Sequence, residues 1–210
     1  MATSVSTTNV PEPVARIAGV MAGYPGDWVL CGGWAVEAWT GRTVREHGDI
    51  DIAVFQDELG LLFEHLDGWQ LVAHDPNGDE PRQWDGRRID LPGHLHGRLD
   101  TGEPLPTEPI LRTEDGFTLD IQVCERSAGE WLLCREPPVT LALRQAIVES
   151  PWGLPALVPE GLLFYKADDP RRRDKIDFLA LRSHLTPEQR EWLRDALSRL
   201  GHPWLSRLPA

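Results

Sequence analysis

The sequence predicts an α+β protein, with a mixed β-sheet and flanking helices followed by a C-terminal helical bundle. Three observations carry this. Asp49–Phe55 and Phe117–Val123 alternate polar and apolar residues, the period of half-buried strands. Between them, Leu59, Leu62, Phe63 and Leu66 fall at helical spacing. From Val139 onward helical periods dominate, which places a boundary near residue 138. The expected units are an α/β domain over 1–138 and a helical domain over 139–210.

In chain order, Val14–Met21 reads as a short helix after a proline-rich start, and Pro25-Gly26-Asp27 as a turn. Trp28–Cys31 is a short apolar run, a buried strand. Gly32-Gly33 breaks it, Trp34–Trp39 is helical and Gly41 ends that helix. Asp49–Phe55 is a strand, Glu58–Leu66 a helix and Trp69–Ala73 a strand. Residues 74–115 are rich in Gly, Pro, Asp and Arg and read as a long irregular region with one or two short strands, expected near Arg87–Leu91. Phe117–Val123 and Glu130–Arg135 form a hairpin across Ser127-Ala128-Gly129. Helices are expected at Leu141–Ile147, Glu160–Ala167, Lys175–Leu181 and Pro187–Leu200. The last starts with a Thr186 cap, a proline at its first position and Gln189 three residues after the cap.

Composition narrows the function. The chain has 210 residues, a net charge of −12 and a pI near 5.0, which argues against wrapping bulk nucleic acid or binding anionic membranes. No apolar run approaches membrane-spanning length, and the first residues lack the pattern of a signal peptide. Cys31, Cys124 and Cys134 form neither a CxxC pair nor a disulfide framework, as expected in a reducing cytoplasm.

The chemistry gathers in CGGWAVEAWTGRTVREHGDIDIAVF, residues 31–55. On a strand, Asp49 and Asp51 share one face, about 7 Å apart. Their repulsion calls for a metal, arginines or water, and paired carboxylates suit Mg²⁺ together with phosphate oxygens. Two harmless solvent-facing acids are the competing reading. Gly32-Gly33 at the mouth of a helix presents backbone N–H groups with no Cβ in the way, a phosphate cradle or simply a turn. Arg42, Arg45 and His47 in the connection either hold phosphate, neutralise the acids or are ordinary surface residues. Asp120 is the expected third carboxylate, since Leu119, Ile121 and Val123 form the opposite apolar face; Asp90, in a less regular segment, ranks below it. Glu37 and Trp84 are candidate substrate contacts, and most of the nine tryptophans are expected to be core or interface residues.

CGGWAVEA, GRTVREHGDIDI, the later LLFYKADDPRRRDKIDF and the terminal WLRDAL…HPWL resemble the polymerase-β-like nucleotidyltransferases. Within them the pattern is most similar to the aminoglycoside 2″-adenylyltransferase and lincosamide nucleotidyltransferase group. It spans most of the chain and is weakest between residues 70 and 115. The resemblance implies a nucleotidyltransferase-type sheet and a two-metal transfer of a nucleoside monophosphate. AMP from ATP is the first candidate, another nucleoside triphosphate the second. The acceptor is a hydroxyl of a small molecule, an aminoglycoside-type antibiotic being one candidate. Asp49 and Asp51 match the metal-binding pair. Asp120 matches the third carboxylate, either ligand or general base. Gly32 and Gly33 match the phosphate turn, and Lys166 a lysine reaching the phosphates. Gly48 stands where the family often has an acid, and Arg173 where it usually has lysine. Lys166 with the run Arg171-Arg172-Arg173 makes triphosphate binding a reading beside that of a solvated helix start.

Two other functions remain open: a non-catalytic, nucleotide-binding or antitoxin-like relative, and nucleotidylation of a protein target. The sequence does not decide between monomer and dimer.

Overall fold

The structure is a computed structural model that describes residues 10–74, 81–99 and 118–209. Helix α1 (Glu12–Val20) packs through Val14 and Ile17 and leads to strand β1 (Trp28–Leu30). Helix α2 (Gly32–Thr40) begins two residues after that strand and stops at Gly41, whose φ of 67° is the left-handed conformation that closes a helix. Strand β2 (Asp49–Phe55), helix α3 (Leu59–His65) and strands β3 (Trp69–His74), β4 (Arg82–Gln83) and β5 (Gly93–Leu99) follow. Strand β6 (Thr118–Ser127) turns at Ala128 and Gly129, both at positive φ, into β7 (Glu130–Arg135) and then β8 (Pro138–Ala142). A four-residue helix α4 (Leu143–Ala146) separates β8 from β9 (Ile147–Glu149) and β10 (Pro155–Leu157). Helices α5 (Pro159–Ala167), α6 (Arg172–Leu181) and α7 (Pro187–Arg199) complete the chain.

The strands form one mixed sheet in the order β4-β3-β5-β6-β2-β1-β10-β9, with β7 on the far part of β6 and β8 on β7. β2 and β6 are parallel neighbours over seven residue pairs, Asp49 opposite Thr118 through Phe55 opposite Cys124. Such a pair needs a crossover, and the chain from α3 to β5 supplies it. The alternation anticipated for β2 is present: Ile50, Ile52 and Val54 are buried, while Asp49 and Asp51 stand half-buried on the other face. Each such apolar side chain contributes roughly 1.5–3 kcal/mol by leaving water. Phe55, Ile121 and Trp131 are fully buried in the same core. The cap of α7 is as read from sequence, with Gln189 N–H donating to Thr186 Oγ1 and Thr186 N–H to Gln189 Oε1.

Three expectations are corrected. The 74–115 segment does hold short strands, β4 and β5, but not at Arg87–Leu91; β5 begins after it, at Gly93, and pairs with β3 over six positions. Helical character does not take over at residue 139, because β8, β9 and β10 lie there and Leu141–Ile147 contains only the short α4. β10 runs parallel to β1, Leu30 opposite Ala156, and the first of the three C-terminal helices starts at Pro159. Phe63 lies on the open side of α3, 45% exposed, where it meets Trp84 edge-on. Phe117, the first residue of the expected strand, lies outside the described residues.

Candidate active site

Strand register builds the acidic centre. Asp51 and Asp120 stand directly opposite each other on β2 and β6, and Asp49 lies two residues earlier on the same face as Asp51. No loop has to hold them: the parallel pairing that buries Ile52 beside Ile121 also sets the carboxylates side by side. The centre is poorly solvated. Burial first, then the charges of Asp120 and Asp49, push the Asp51 carboxyl up to about 7. Asp120 Oδ1 is buried without a hydrogen-bond partner. Asp49 has a cation near it, Arg173 Nη1 at 3.6 Å. A crowded trio of oxygen donors with one orphaned lone-pair atom fits a hard divalent cation such as Mg²⁺.

Gly32 and Gly33 lie against this centre for two different reasons. Gly32 has a φ of +63°, and a Cβ there would overlap the Asp51 carboxylate. Gly33 has ordinary backbone, but a Cβ on it would run into the Arg45 guanidinium and the His47 ring. The second glycine therefore leaves room for side chains of the 41–48 turn as well as for any ligand.

That turn is anchored from beneath. Glu37 is buried; its Oε1 accepts from Val44 N–H at 2.8 Å and meets His47 Nε2 at 2.9 Å. The His47 ring lies over Trp34, whose indole N–H donates to Asp49 O at 3.0 Å. Arg45 reaches across to α6 and grips both oxygens of the fully buried Asp177, Nε at 3.0 Å and Nη2 at 3.1 Å. Lys166 donates to the same carboxylate at 2.7 Å and lies 3.6 Å from Asp174 Oδ1. Asp174 is held in turn by Arg171, whose guanidinium beside it keeps its carboxyl below the usual range against the opposing effect of burial.

A cleft of about 670 Å³ opens over these elements. Asp49, Asp51, Gly32 and Gly33 line one part, and Arg45, Lys166, Arg171 and Arg173 supply cations to it. Trp131, Phe164, Tyr165 and Leu133 give an apolar wall, with Glu125 and Glu136 also on the lining. Asp120 stands one strand over, beside the wall rather than on it. Burial pushes the Cys124 thiol up to about 12 and raises Cys31 and Tyr165 as well, so these groups stay protonated and are poor nucleophiles.

The structure thus brings together Asp49, Asp51, Asp120, Gly32, Gly33, Arg45, Lys166 and Arg173. It places four other candidates differently. Glu37 faces the 41–48 turn instead of the cleft, because its carboxylate is consumed by backbone N–H groups and His47. His47 is buried behind Gly33 and shields Glu37. Arg42 is exposed and does not line the cleft. Trp84 is a core residue, 2% exposed, with its indole N–H donating to Arg87 O at 2.7 Å. The RRRDKIDF segment carries Asp174 and Asp177, three apart on one face of α6, but the sequence assigned neither a role. The spacing of two acids beside the buried Phe178 and Leu181 was the available signal.

Residues 14–75 match a family model described as aminoglycoside-2″-adenylyltransferase. No curated protein matches the sequence. The lincosamide antibiotic adenylyltransferase LnuA, in its lincomycin-bound crystal structure, superposes with a TM-score of 0.55 at 20% identity, covering 84% of this chain and 99% of that one. The antibiotic-resistance factor ANT(2″)-Ia in solution gives 0.54 at 18% identity, covering 90% of this chain and 91% of that one. Its crystal structure with adenylyl-2″-tobramycin gives 0.52 at 15%, covering 90% and 97%. The chain shares the fold of these lincosamide and aminoglycoside adenylyltransferases, and its residues 14–75 are similar to the aminoglycoside-2″-adenylyltransferase family.

Proposed function

We propose that the protein is a Mg²⁺-dependent nucleotidyltransferase that moves a nucleoside monophosphate, AMP from ATP, onto a hydroxyl of a small acceptor. The observation that carries this reading is the register of β2 and β6, which sets Asp51 opposite Asp120 with Asp49 beside them at a cleft rich in arginine. A binding module has no need of three crowded carboxylates, one raised to about 7. Divalent cations held by these acids, two in the family's mechanism, would stabilise the attacking and leaving oxygens of an in-line displacement at phosphorus.

The chain's own residues do the rest. The start of α2 at Gly32-Gly33 offers backbone N–H groups to phosphate oxygens. Arg171 and Arg173 reach the cleft with more than 40% of their side chains exposed, and they neutralise the triphosphate. Lys166 and Arg45 contribute positive potential from behind, fixed by Asp177. Asp120 either accepts the proton of the acceptor hydroxyl or holds the cation that lowers the hydroxyl's pKa. Apolar and acidic residues share the lining, Trp131 and Leu133 with Glu125 and Glu136, and suit an amphiphilic, amine-bearing acceptor of the antibiotic kind.

The test is pyrophosphate release with Mg²⁺ from each nucleoside triphosphate, across a panel of aminoglycosides and lincosamides. ATP with at least one acceptor should give pyrophosphate and an adenylylated product of matching mass. Tight nucleotide binding with no product on any small acceptor or protein fraction would turn the reading to a non-catalytic nucleotide-binding relative. Product on a protein alone would move the acceptor, not the chemistry.

A further inference from the structure

We propose that His74, His94 and His96 form a binding site for a divalent transition-metal ion of the zinc class, separate from the carboxylate centre. The three come together through register. His74 pairs with His94 across β3 and β5, and His96 follows two residues on, so all three share a sheet face. Each offers a ring nitrogen, and those atoms lie within 4.8 Å of one another. The ring centroids are 4.4 to 4.9 Å apart in every pairing. Tetrahedral zinc with Zn–N of 2.0–2.1 Å holds its nitrogens about 3.4 Å apart. Closing the present triangle therefore asks about 1.4 Å or less of side-chain movement.

The donor set selects the ion. Imidazole nitrogens suit Zn²⁺, Co²⁺, Ni²⁺ or Cu²⁺, whereas carboxylates and water suit Mg²⁺. All three histidines are half-buried, which leaves a path for an ion while limiting competition from water. His96 Nδ1 is buried without a hydrogen-bond partner, an open lone pair or an unsatisfied N–H inside the cluster. The neighbour on the other side is anionic: Asp120 lies directly opposite His96 on β6, its Oδ1 3.8 Å from His96 Nε2. A carboxylate beside a metal-binding histidine offsets the ion's charge. One sheet face then carries an oxygen-rich site and a nitrogen-rich site with Asp120 between them.

The experiment uses the untagged full-length protein in excess Mg²⁺, dialysed against limiting Zn²⁺ and analysed for bound metal. One equivalent of zinc should be retained. Asp49→Asn with Asp51→Asn should keep it, and Cys31→Ser with Cys124→Ser should keep it. His94→Gln with His96→Gln should lower zinc affinity by at least about tenfold. In the unmutated protein, NMR of the seven histidines should show Zn²⁺ perturbing the ring nitrogens of His74, His94 and His96 first. This readout stands even if the double variant fails to fold. Absence of a zinc equivalent, or zinc lost with the aspartates or cysteines and kept without the histidines, overturns the proposal. It also leaves the nucleotidyl-transfer reading untouched.

Discussion

Lys166 and Arg45 converge on one carboxylate, that of Asp177, which has no exposed surface. The lysine that the sequence offered as a phosphate ligand is therefore also a structural cation. Asp177→Ala leaves Arg45 without its carboxylate and Lys166 with only Asp174 at 3.6 Å, and should cost about 3–5 kcal/mol of stability. Urea denaturation measures it. Lys166→Met should lower both stability and nucleotide affinity. A variant with weaker nucleotide binding and an unchanged urea midpoint would make Lys166 a ligand only.

The raised Asp51 carboxyl sets a pH dependence. Its folded value of about 7 lies above the unfolded value of about 4. The folded state then holds the proton more tightly, so its stabilising effect is full below about pH 4 and is lost as pH rises through 7. The metal-free protein should melt at lower temperature at pH 8 than at pH 5.5, and Mg²⁺ with nucleotide should reverse the trend. Metal affinity should fall about tenfold per pH unit below 7, because the proton must leave first. Asp51→Asn should flatten the first effect and abolish turnover.

Gly32→Ala should be worse for catalysis than Gly33→Ala. The first drives a methyl into the Asp51 carboxylate from a backbone at φ +63°, displacing the acid that the proposed mechanism needs in place. The second pushes on the Arg45 guanidinium and the His47 ring and should weaken nucleotide binding and stability together. Steady-state kinetics beside thermal melts separate the two. Equal losses would show that the glycines act as one flexible hinge.

Asp120→Asn should lower kcat by roughly 10²–10⁴-fold. Unchanged Mg²⁺ affinity would assign it as base, and a parallel loss would assign it as ligand. Asp90, exposed and outside any strand, is the control: Asp90→Asn should leave kcat within twofold or so of the wild type.

Trp84→Ala should behave as a core deletion, costing about 3–5 kcal/mol, with no selective effect on acceptor KM. A KM change at full stability would return Trp84 to the substrate.

What was legible in the sequence was local. Alternation over seven residues fixed the faces of β2, and the same alternation in β6 ranked Asp120 above Asp90. What was not legible depended on distant partners. Arg45 and Asp177 are 132 residues apart, and no period in either segment announces the other. Glu37 looked available for the same reason, its partners being donated by a turn whose path the sequence leaves open. The short strands expected in 74–115 are not located by the sequence, because Gly97 interrupts the alternation of β5, although His94-Leu95-His96 carries the two-residue period.

The coincidence of Asp51 with Asp120 has a consequence for how such a protein diverges. A strand shifted by one residue turns every side chain to the opposite face, so a one-residue slip of β6 against β2 would bury the acid and expose Ile121. The hydrophobic core thus acts as proofreader for the placement of these carboxylates. The crossover between these two strands obeys the same rule where it adds β5, which pairs with β6 over five positions and sets His96 opposite Asp120. A change that moves β6 therefore disturbs the core and the three carboxylates together.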